Sequence, residues 1–167
     1  MIGVLEGVVI AMALSLLDFV RRTSRPHDAV LGVVPGRPGF HDVARVRGAE
    51  QIPGTLIYRS DAPLFYANAE RFRGRVRTLT RRHDDLRLVV LEASTIPDID
   101  VTAARMLGEL RQELEARGIR LVVADAVGSV RDLLVGDELK EDFTRADMYD
   151  SVEQALAEVE VEIDAER

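Results

Sequence analysis

The sequence has no cysteine, no tryptophan and only one lysine, Lys140, among its 167 residues. The absence of cysteine excludes disulfide bonds and thiolate metal sites, and it is typical of proteins that work in a reducing compartment. Because Lys and Arg together number 22, nearly all positive charge is arginine, which we interpret as the coding bias of a GC-rich bacterial genome. The net charge of −7 argues against a nucleic-acid partner, since proteins that coat phosphates carry an excess of cations.

Sequence motifs of enzymes are also missing. There is no G-x-S-x-G, Walker A or G-x-G-x-x-G pattern, which are the short motifs of α/β-hydrolases, P-loop proteins and dinucleotide-binding proteins. The histidines His27, His41 and His83 are scattered, and none stands at metal-ligand spacing with an acidic partner, so we interpret them as solvated. We therefore predict no catalytic residue, no metal site, no required cofactor and a function other than catalysis.

The beginning of the chain differs from the rest. Residues 2–20 are almost entirely apolar, and ~20 apolar residues are what a helix needs to cross the ~30 Å hydrocarbon core of a membrane. Glu6 would be costly inside lipid unless other protein surrounded it. Three arginines follow directly, and the positive-inside tendency places the domain after them in the cytoplasm. They are Arg21, Arg22 and Arg25.

We therefore divide the chain into two parts. Residues 1–25 are predicted to be the end of a last transmembrane helix and its juxtamembrane linker. The membrane and a transmembrane domain of the same protein are then the first expected partners. Residues 26–167 are predicted to be one cytoplasmic domain, since this length suffices for a single hydrophobic core. The alternative for the first part is an amphipathic helix that packs on the domain or on the membrane surface.

Strand and helix patterns alternate through the second part. Short apolar runs predict strands at 29–34, 55–59, 86–92 and 119–124, and an extended stretch at 40–46 follows an irregular P-G-R-P-G turn at 35–39. Helical spacing covers about 69–83, 101–117, 127–135 and 152–163. Because continuous apolar runs are typical of strands covered on both faces, we predict an α/β sandwich around a mixed, mostly parallel sheet.

Polar residues at the ends of the helical patterns predict caps. We expect Asn68 and Asp100 to be N-cap residues, because their side-chain oxygens can accept bonds from the first free backbone N–H groups of a helix. Ser151 and Gln154 have the spacing of a capping box. Gly118 is expected to end a helix as its C′ residue.

One loop could carry a site. Residues 92–104 (EASTIPDIDVTAA) run from the end of a predicted strand into a helix N-terminus. Ligands collect at the carboxyl ends of strands in α/β sheets, and helix N-termini favour anions. We predict a regulatory loop that binds a partner or a phosphorylated ligand, with plain capping by Asp100 as the alternative. The candidate residues are Ser94, Thr95, Asp98, Asp100 and Thr102.

The predicted helix over 69–83 is rich in arginine on its outer face. These residues are Arg71, Arg73, Arg75, Arg77, Arg81 and Arg82. The face is either solvated, or it contacts anionic lipid headgroups or an acidic partner domain.

Two segments resemble a known pattern when they are taken together. Residues 55–70 (TLIYRSDAPLFYANAE), and residues 91–103 with their Leu-Glu-Ala-Ser and Asp-x-Asp-x-Thr-Ala elements, are similar to motifs of sulphate-permease (SulP) family transporters. In that family these motifs form the cytoplasmic STAS domain, named for sulphate transporters and anti-sigma-factor antagonists. Residues 19–27 (FVRRTSRPH) resemble the junction between the last membrane helix and that domain.

The resemblance implies a fold, a role and a location. The fold is a STAS-like sandwich with a sheet of four or five strands and helices mainly on one side. The role is that of the C-terminal regulatory or assembly module of a secondary active transporter for sulphate or another inorganic anion. Its location is the cytoplasmic face of the inner membrane, and a cytoplasmic protein is a further candidate partner.

The resemblance also implies two alternative functions. In related anti-sigma-factor antagonists, a serine directly after the loop aspartate is phosphorylated as a switch. The matching aspartate is Asp100, and the next residue, Val101, has no hydroxyl, although Thr102 has one. A partner-switching signalling domain is therefore the first alternative. A nucleotide-sensing domain with weak GTP or ATP binding near this loop is the second.

Overall fold

Helices and strands alternate along the chain, as the sequence predicts. The computed structural model describes the backbone of residues 3–23, 27–83, 85–136 and 142–165, and the side chains of residues 3–18, 27–83, 85–136 and 142–159. The elements are α1 (Val4–Thr23), β1 (Asp28–Val34), β2 (Arg37–Asp42), β3 (Thr55–Ser60), α2 (Tyr66–Thr80), β4 (Leu88–Glu92), α3 (Val101–Glu115), β5 (Arg120–Ala124), α4 (Gly128–Leu134), a 3-10 turn (Arg145–Asp147), β6 (Met148–Tyr149) and α5 (Val152–Ala165).

All six of these strands form one sheet in the order β2-β1-β3-β4-β5-β6. β1 is antiparallel to both of its neighbours, whereas β3, β4, β5 and β6 run parallel. The prediction of a mixed, mostly parallel sheet is confirmed. The predicted number of four or five strands is too low, because β6 pairs with β5 through only Met148 and Tyr149, which is too short to leave a pattern in the sequence.

The second strand begins earlier than predicted. The irregular turn expected at 35–39 is limited to Pro35 and Gly36, whose φ is 77°, and β2 starts at Arg37. Pro38 is tolerated in β2 because an edge strand can leave one backbone N–H position unpaired.

The strands bury apolar side chains on both faces of the sheet. In β4, Val89 and Leu91 belong to the core beneath α2, α3 and α4, whereas Leu88 and Val90 belong to the core beneath α5. This explains why the strand appears in the sequence as an unbroken apolar run. Since three of the four helices that cover the sheet lie on one face, the expected placement of helices mainly on one side is confirmed.

Three of the predicted caps are confirmed. Asp100 Oδ1 accepts a hydrogen bond from the Ala103 N–H at 2.7 Å. Ser151 Oγ accepts one from the Gln154 N–H at 3.1 Å, which is one half of the predicted capping box, whereas Gln154 Oε1 accepts from the Asp150 N–H at 3.0 Å and not from Ser151. Gly118 closes the turn after α3, because its N–H donates to the Glu115 carbonyl at 2.9 Å, and its φ of 72° is a conformation that glycine adopts without strain.

The predicted role of Asn68 as an N-cap is wrong. α2 begins at Tyr66 and ends at Thr80, so Asn68 is the third residue of the helix and not its cap. The buried Asn68 side chain still satisfies the helix start, because its Oδ1 accepts from the Phe65 N–H at 2.9 Å and its Nδ2 donates to the Pro63 carbonyl at 2.8 Å.

The N-terminal segment forms the helix α1, whose side chains are exposed from residue 3 to residue 18. The exposed side chains include large apolar ones, whose exposed fractions range from 48% at Ile10 to 88% at Val4. The alternative in which this helix packs on the domain is therefore wrong over residues 3–18.

The membrane assignment of residues 1–25 stays a prediction. Within the described ranges, no helix combines the length and the apolar character needed to cross a membrane. Arg25 lies outside the described residues, and the structure describes only the backbone of Arg21 and Arg22.

Candidate functional site

The predicted regulatory loop lies at the carboxyl end of β4, and Asp100 is its best-connected residue. Its Oδ1 accepts from the Ala103 N–H at the start of α3, and its Oδ2 accepts from the Tyr66 N–H, the first residue of α2, at 2.9 Å. One carboxylate therefore serves two helix N-termini, where negative charge is stabilising. Asp100 thus occupies the place that an external anion would take at the start of α3.

The loop is tied to the segment that follows β3. The Leu64 N–H donates to the Asp98 carbonyl at 3.0 Å, and the Asp100 N–H donates to the Leu64 carbonyl at 3.1 Å. The Thr95 hydroxyl donates to the Ser60 carbonyl at 3.0 Å. A change in the loop therefore reaches the end of β3 through direct hydrogen bonds.

The five predicted site residues divide into two groups. Thr95 and Asp100 are partly buried and hold the loop in place. Ser94, Asp98 and Thr102 are exposed. Their side chains are therefore available to a partner or to a modifying enzyme, and their regulatory role stays a prediction.

A chain of polar contacts runs from this loop to the first residue after α1 that the structure describes. The nearly buried Glu92 accepts from the Ser94 N–H at 3.0 Å and lies 3.9 Å from Arg59 Nε. Arg59 Nε is 3.0 Å from Asp61, and Asp61 contacts His27 Nδ1 at 2.8 Å. We call Glu92, Arg59, Asp61 and His27 the loop-to-junction network.

His27 is exposed, in line with its interpretation as solvated, but it also has polar partners. Its Nε2 also lies 2.7 Å from a guanidinium nitrogen of Arg45, so both ring nitrogens have partners. Sequence reasoning missed this network because Asp61 is 34 residues from His27 along the chain. The one local signal was the pair of opposite charges at Arg59 and Asp61, directly at a strand end.

The carboxyl edge of the parallel strands is acidic. Asp125 follows β5 with a φ of 57°, and its pKa is raised by burial and by the nearby carboxylate of Glu92. Asp98 and Asp100 add negative charge at the same edge. In the described ranges no group of three or more His, Cys, Asp or Glu residues is arranged to hold a metal ion. These carboxylates repel phosphate groups, and weak nucleotide binding near the loop stays a prediction.

Three of the six arginines on the outer face of α2 form ion pairs within the molecule, so these three are not simply solvated, and contact of the face with anionic lipid or an acidic partner domain stays a prediction. Arg73 pairs with Glu113 and with Glu109, the latter at 2.8 Å, and Arg77 pairs with Glu113 at 2.7 Å. The two guanidiniums lower the pKa of Glu113 to about 2. Arg75 pairs with a β1 carboxylate at 2.7 Å.

Comparison with known protein families shows sequence similarity over most of the chain. The family model described as the STAS domain matches residues 47–155. A probable sulfate transporter of Mycobacterium tuberculosis is 42% identical over 134 residues, which cover 80% of this chain and 24% of the transporter. The chain therefore spans about a quarter of the length of that relative.

Solved structures share the fold. The murine Solute Carrier 26 family member A9 anion transporter, in an inward-facing state, superposes with a TM-score of 0.82 at 21% identity, over 93% of this chain and 25% of that one. A SulP transporter STAS domain from Vibrio cholerae superposes with a TM-score of 0.56 at 24% identity, over 74% of this chain and 94% of that one. The anti-sigma factor antagonist SpoIIAA superposes with a TM-score of 0.51 at 18% identity, over 64% of this chain and 88% of that one. At these identities the likeness concerns the fold alone.

Proposed function

The chain belongs to the STAS domain family, and from that membership we propose that it is the cytoplasmic regulatory and assembly domain of a secondary active transporter for sulphate or a similar inorganic anion. The observation that carries this proposal is the 42% identity with the probable sulfate transporter of Mycobacterium tuberculosis. The matched stretch makes up 24% of the length of that transporter. The transmembrane domain of the same protein is then its main partner, and the inner membrane its location.

The exposed helix α1 supports the placement beside a membrane domain. Its own apolar side chains are exposed, among them Leu5 at 78% and Met12 at 73%. Exposing this much apolar surface to water is unfavourable. Neighbouring membrane helices would cover it, and they would also surround Glu6, which is costly in lipid alone.

The loop-to-junction network supports a regulatory role. It begins at Glu92 beside the exposed hydroxyl of Ser94 and ends at His27, which directly precedes β1 and follows the segment that leads from α1. A partner that binds the loop therefore has a contiguous polar route towards the membrane side. We propose that partner binding or modification at Ser94, Asp98 or Thr102 acts on transport along this route.

The arrangement favours regulation over catalysis. The buried polar groups of the loop bond to one another or to backbone, and within the described residues no side chain that could act as a base contacts the exposed hydroxyls of Ser94 and Thr102. Partner switching in the manner of an anti-sigma factor antagonist has only the shared fold in its support. We therefore place it second to the transporter role.

Deletion in the full-length transporter tests the proposal. Removal of residues 26–167 is expected to lower sulphate uptake, the amount of transporter in the membrane, or both. The matched control is Glu70→Gln, which removes one exposed carboxylate on α2. The proposal fails if the deletion variant reaches the membrane and takes up sulphate as the intact protein does.

A further inference from the structure

A cavity of about 260 Å³ lies between α2 and the strands β1 and β3, next to the carboxyl end of β3. α2 contributes one wall with Arg71, Phe72 and Arg75, and Gly74 lies at its rim. Tyr58 and Ser60 of β3 form the floor. The volume is slightly below the ~300–1,000 Å³ of pockets for drug-sized ligands, so it suits a small ligand with bound water.

The charge of the cavity is positive. Arg71 and Arg75 are one helical turn apart on α2. Among the described lining residues Asp28 alone is acidic, and its Oδ2 lies 2.7 Å from Arg75 Nε. The three side chains together carry one net positive charge. A guanidinium offers five N–H donors in a planar fork, which matches the oxygens of an oxyanion.

The remaining lining adds one fixed donor and an apolar wall. The Tyr58 hydroxyl hydrogen-bonds to Asp28, and burial together with that carboxylate raises the Tyr58 pKa above its already high ordinary value, so the hydroxyl is a neutral donor. The Tyr58 ring packs edge-on against Phe72, with ring centroids 5.2 Å apart. Leu64 closes the apolar side.

We propose that this cavity binds a small oxyanion, such as sulphate, phosphate or a carboxylate, through Arg71 and Arg75 with the Tyr58 hydroxyl as a further donor. The bound anion replaces Asp28 as the partner of Arg75. The α2–β1 ion pair is thereby exchanged for a ligand that both arginines share.

The position of the cavity links it to two other parts of the molecule. Asp28 is the first residue of β1, next to His27 of the loop-to-junction network. On the other side, the Ser60 carbonyl accepts from Thr95, and Leu64 pairs with the backbone at Asp98 and Asp100. An anion in the cavity therefore acts on the junction and on the predicted regulatory loop. The regulatory effect of the anion rests on the proposed function of the domain, whereas the binding of the anion to the cavity does not.

Titration of the 167-residue chain with sodium sulphate, followed through backbone amide NMR shifts, tests the binding. Sodium chloride at matched ionic strength is the reference. Saturable shifts are expected around Tyr58, Ser60 and Arg71–Arg75 with sulphate and not with chloride. Parallel titrations with phosphate and acetate identify which oxyanion the cavity prefers.

Two variants make the test specific. Arg71→Ala removes one guanidinium from an exposed position and is expected to weaken binding about tenfold, which corresponds to about 1.4 kcal/mol. Gly74→Leu places a side chain at the rim, where a Cβ meets no atom within 4 Å, and is expected to block binding with both arginines in place. Arg105→Ala, at an exposed position of α3, is the matched control and should bind like the parent chain.

Three results would overturn the proposal. They are equal shifts with sulphate and chloride, unchanged affinity in Arg71→Ala and Gly74→Leu, or sulphate shifts centred on the start of α3. None of them bears on whether deletion of the domain impairs transport, so the proposed function and this inference can fail separately.

Discussion

The Asp100 carboxylate accepts a hydrogen bond from the backbone N–H of Tyr66 at 2.9 Å, although 34 residues separate them. Since the same carboxylate caps α3 through Ala103, its removal affects two helices. We expect Asp100→Ala to lower the free energy of unfolding by about 1–2 kcal/mol or more, the usual cost of losing an N-cap. Urea unfolding measures this. Asp98→Ala is the control, because among the described residues the exposed Asp98 carboxylate accepts a hydrogen bond only from the Ile99 N–H. Equal losses in both variants would contradict the double-cap interpretation.

The ion pairs of Glu113 predict a pH dependence of stability. The folded-state pKa of Glu113 is lowered from 4.5 to about 2 by Arg77 and Arg73. The stabilisation is therefore complete above about pH 4.5 and is lost as the pH falls towards 2. Because Glu113 is 34% exposed, screening should limit the effect to below about 1 kcal/mol.

The measurement compares the parent chain with Glu113→Gln. Their difference in unfolding free energy should be largest near neutral pH and should shrink as the pH falls below about 4.5. Glu70→Gln, a more exposed α2 partner of Arg73, should differ little from the parent at any pH. A difference for Glu113→Gln that stays constant with pH would argue against the ion pairs.

The hydrogen bond from Thr95 to the Ser60 carbonyl should contribute measurably to stability. Thr95→Val keeps the shape of the side chain but removes the donor. We expect a loss of about 0.5–1.5 kcal/mol. Thr102→Val changes an exposed threonine of the same loop region and should stay within about 0.5 kcal/mol. Thermal unfolding of the two variants separates them, and equal behaviour would show that the Thr95 bond is unimportant.

The exposed apolar surface of α1 should drive association with lipid. We expect the chain to float with phosphatidylcholine–phosphatidylglycerol vesicles and Leu16→Asp to reduce the bound fraction several-fold, since a charge in an apolar membrane helix is costly. Glu115→Gln on α3 changes an exposed charge remote from α1 and serves as the control. Parent and Leu16→Asp chains that bind equally would exclude α1 as the membrane contact.

Weak nucleotide binding at the loop is a separate hypothesis with a clear electrostatic signature. The carboxylates at this edge oppose phosphate groups, so Asp98→Asn should strengthen any binding of GTP or ATP. Amide shifts at residues 94–102 during nucleotide titration provide the measurement. If these amides do not shift at millimolar nucleotide in either protein, the hypothesis is wrong.

The sequence predicts the parts of the fold that depend on local patterns. β3, β4 and β5 are visible as apolar runs because both of their faces are buried. Asp100 is recognisable as a cap because the preference for Asp at that position is intrinsic to the helix start. Asn68 was misplaced because the same residue type can also satisfy a helix start from the third position.

The contacts that define the site are long-range, and local patterns do not contain them. The arginine spacing on α2 fits a solvated face equally well, because Glu113 lies 36 residues beyond Arg77. The cavity between α2 and β3 likewise exists only after the helix has packed on the sheet. Charge and periodicity therefore predict which residues are polar and outward, while their partners follow from the tertiary fold.

The two outer strands of the sheet have a consequence for self-association. β2 contains Pro38, which cannot donate a backbone hydrogen bond, and β6 has only two paired residues. Neither rim is a good template for the addition of a strand from another molecule, and such blunted rims protect natural sheets from polymerising. The apolar runs of β4 and β5 are thus shielded from amyloid-like pairing, and among the described residues the exposed apolar side chains of α1 form the surface most prone to aggregate in water.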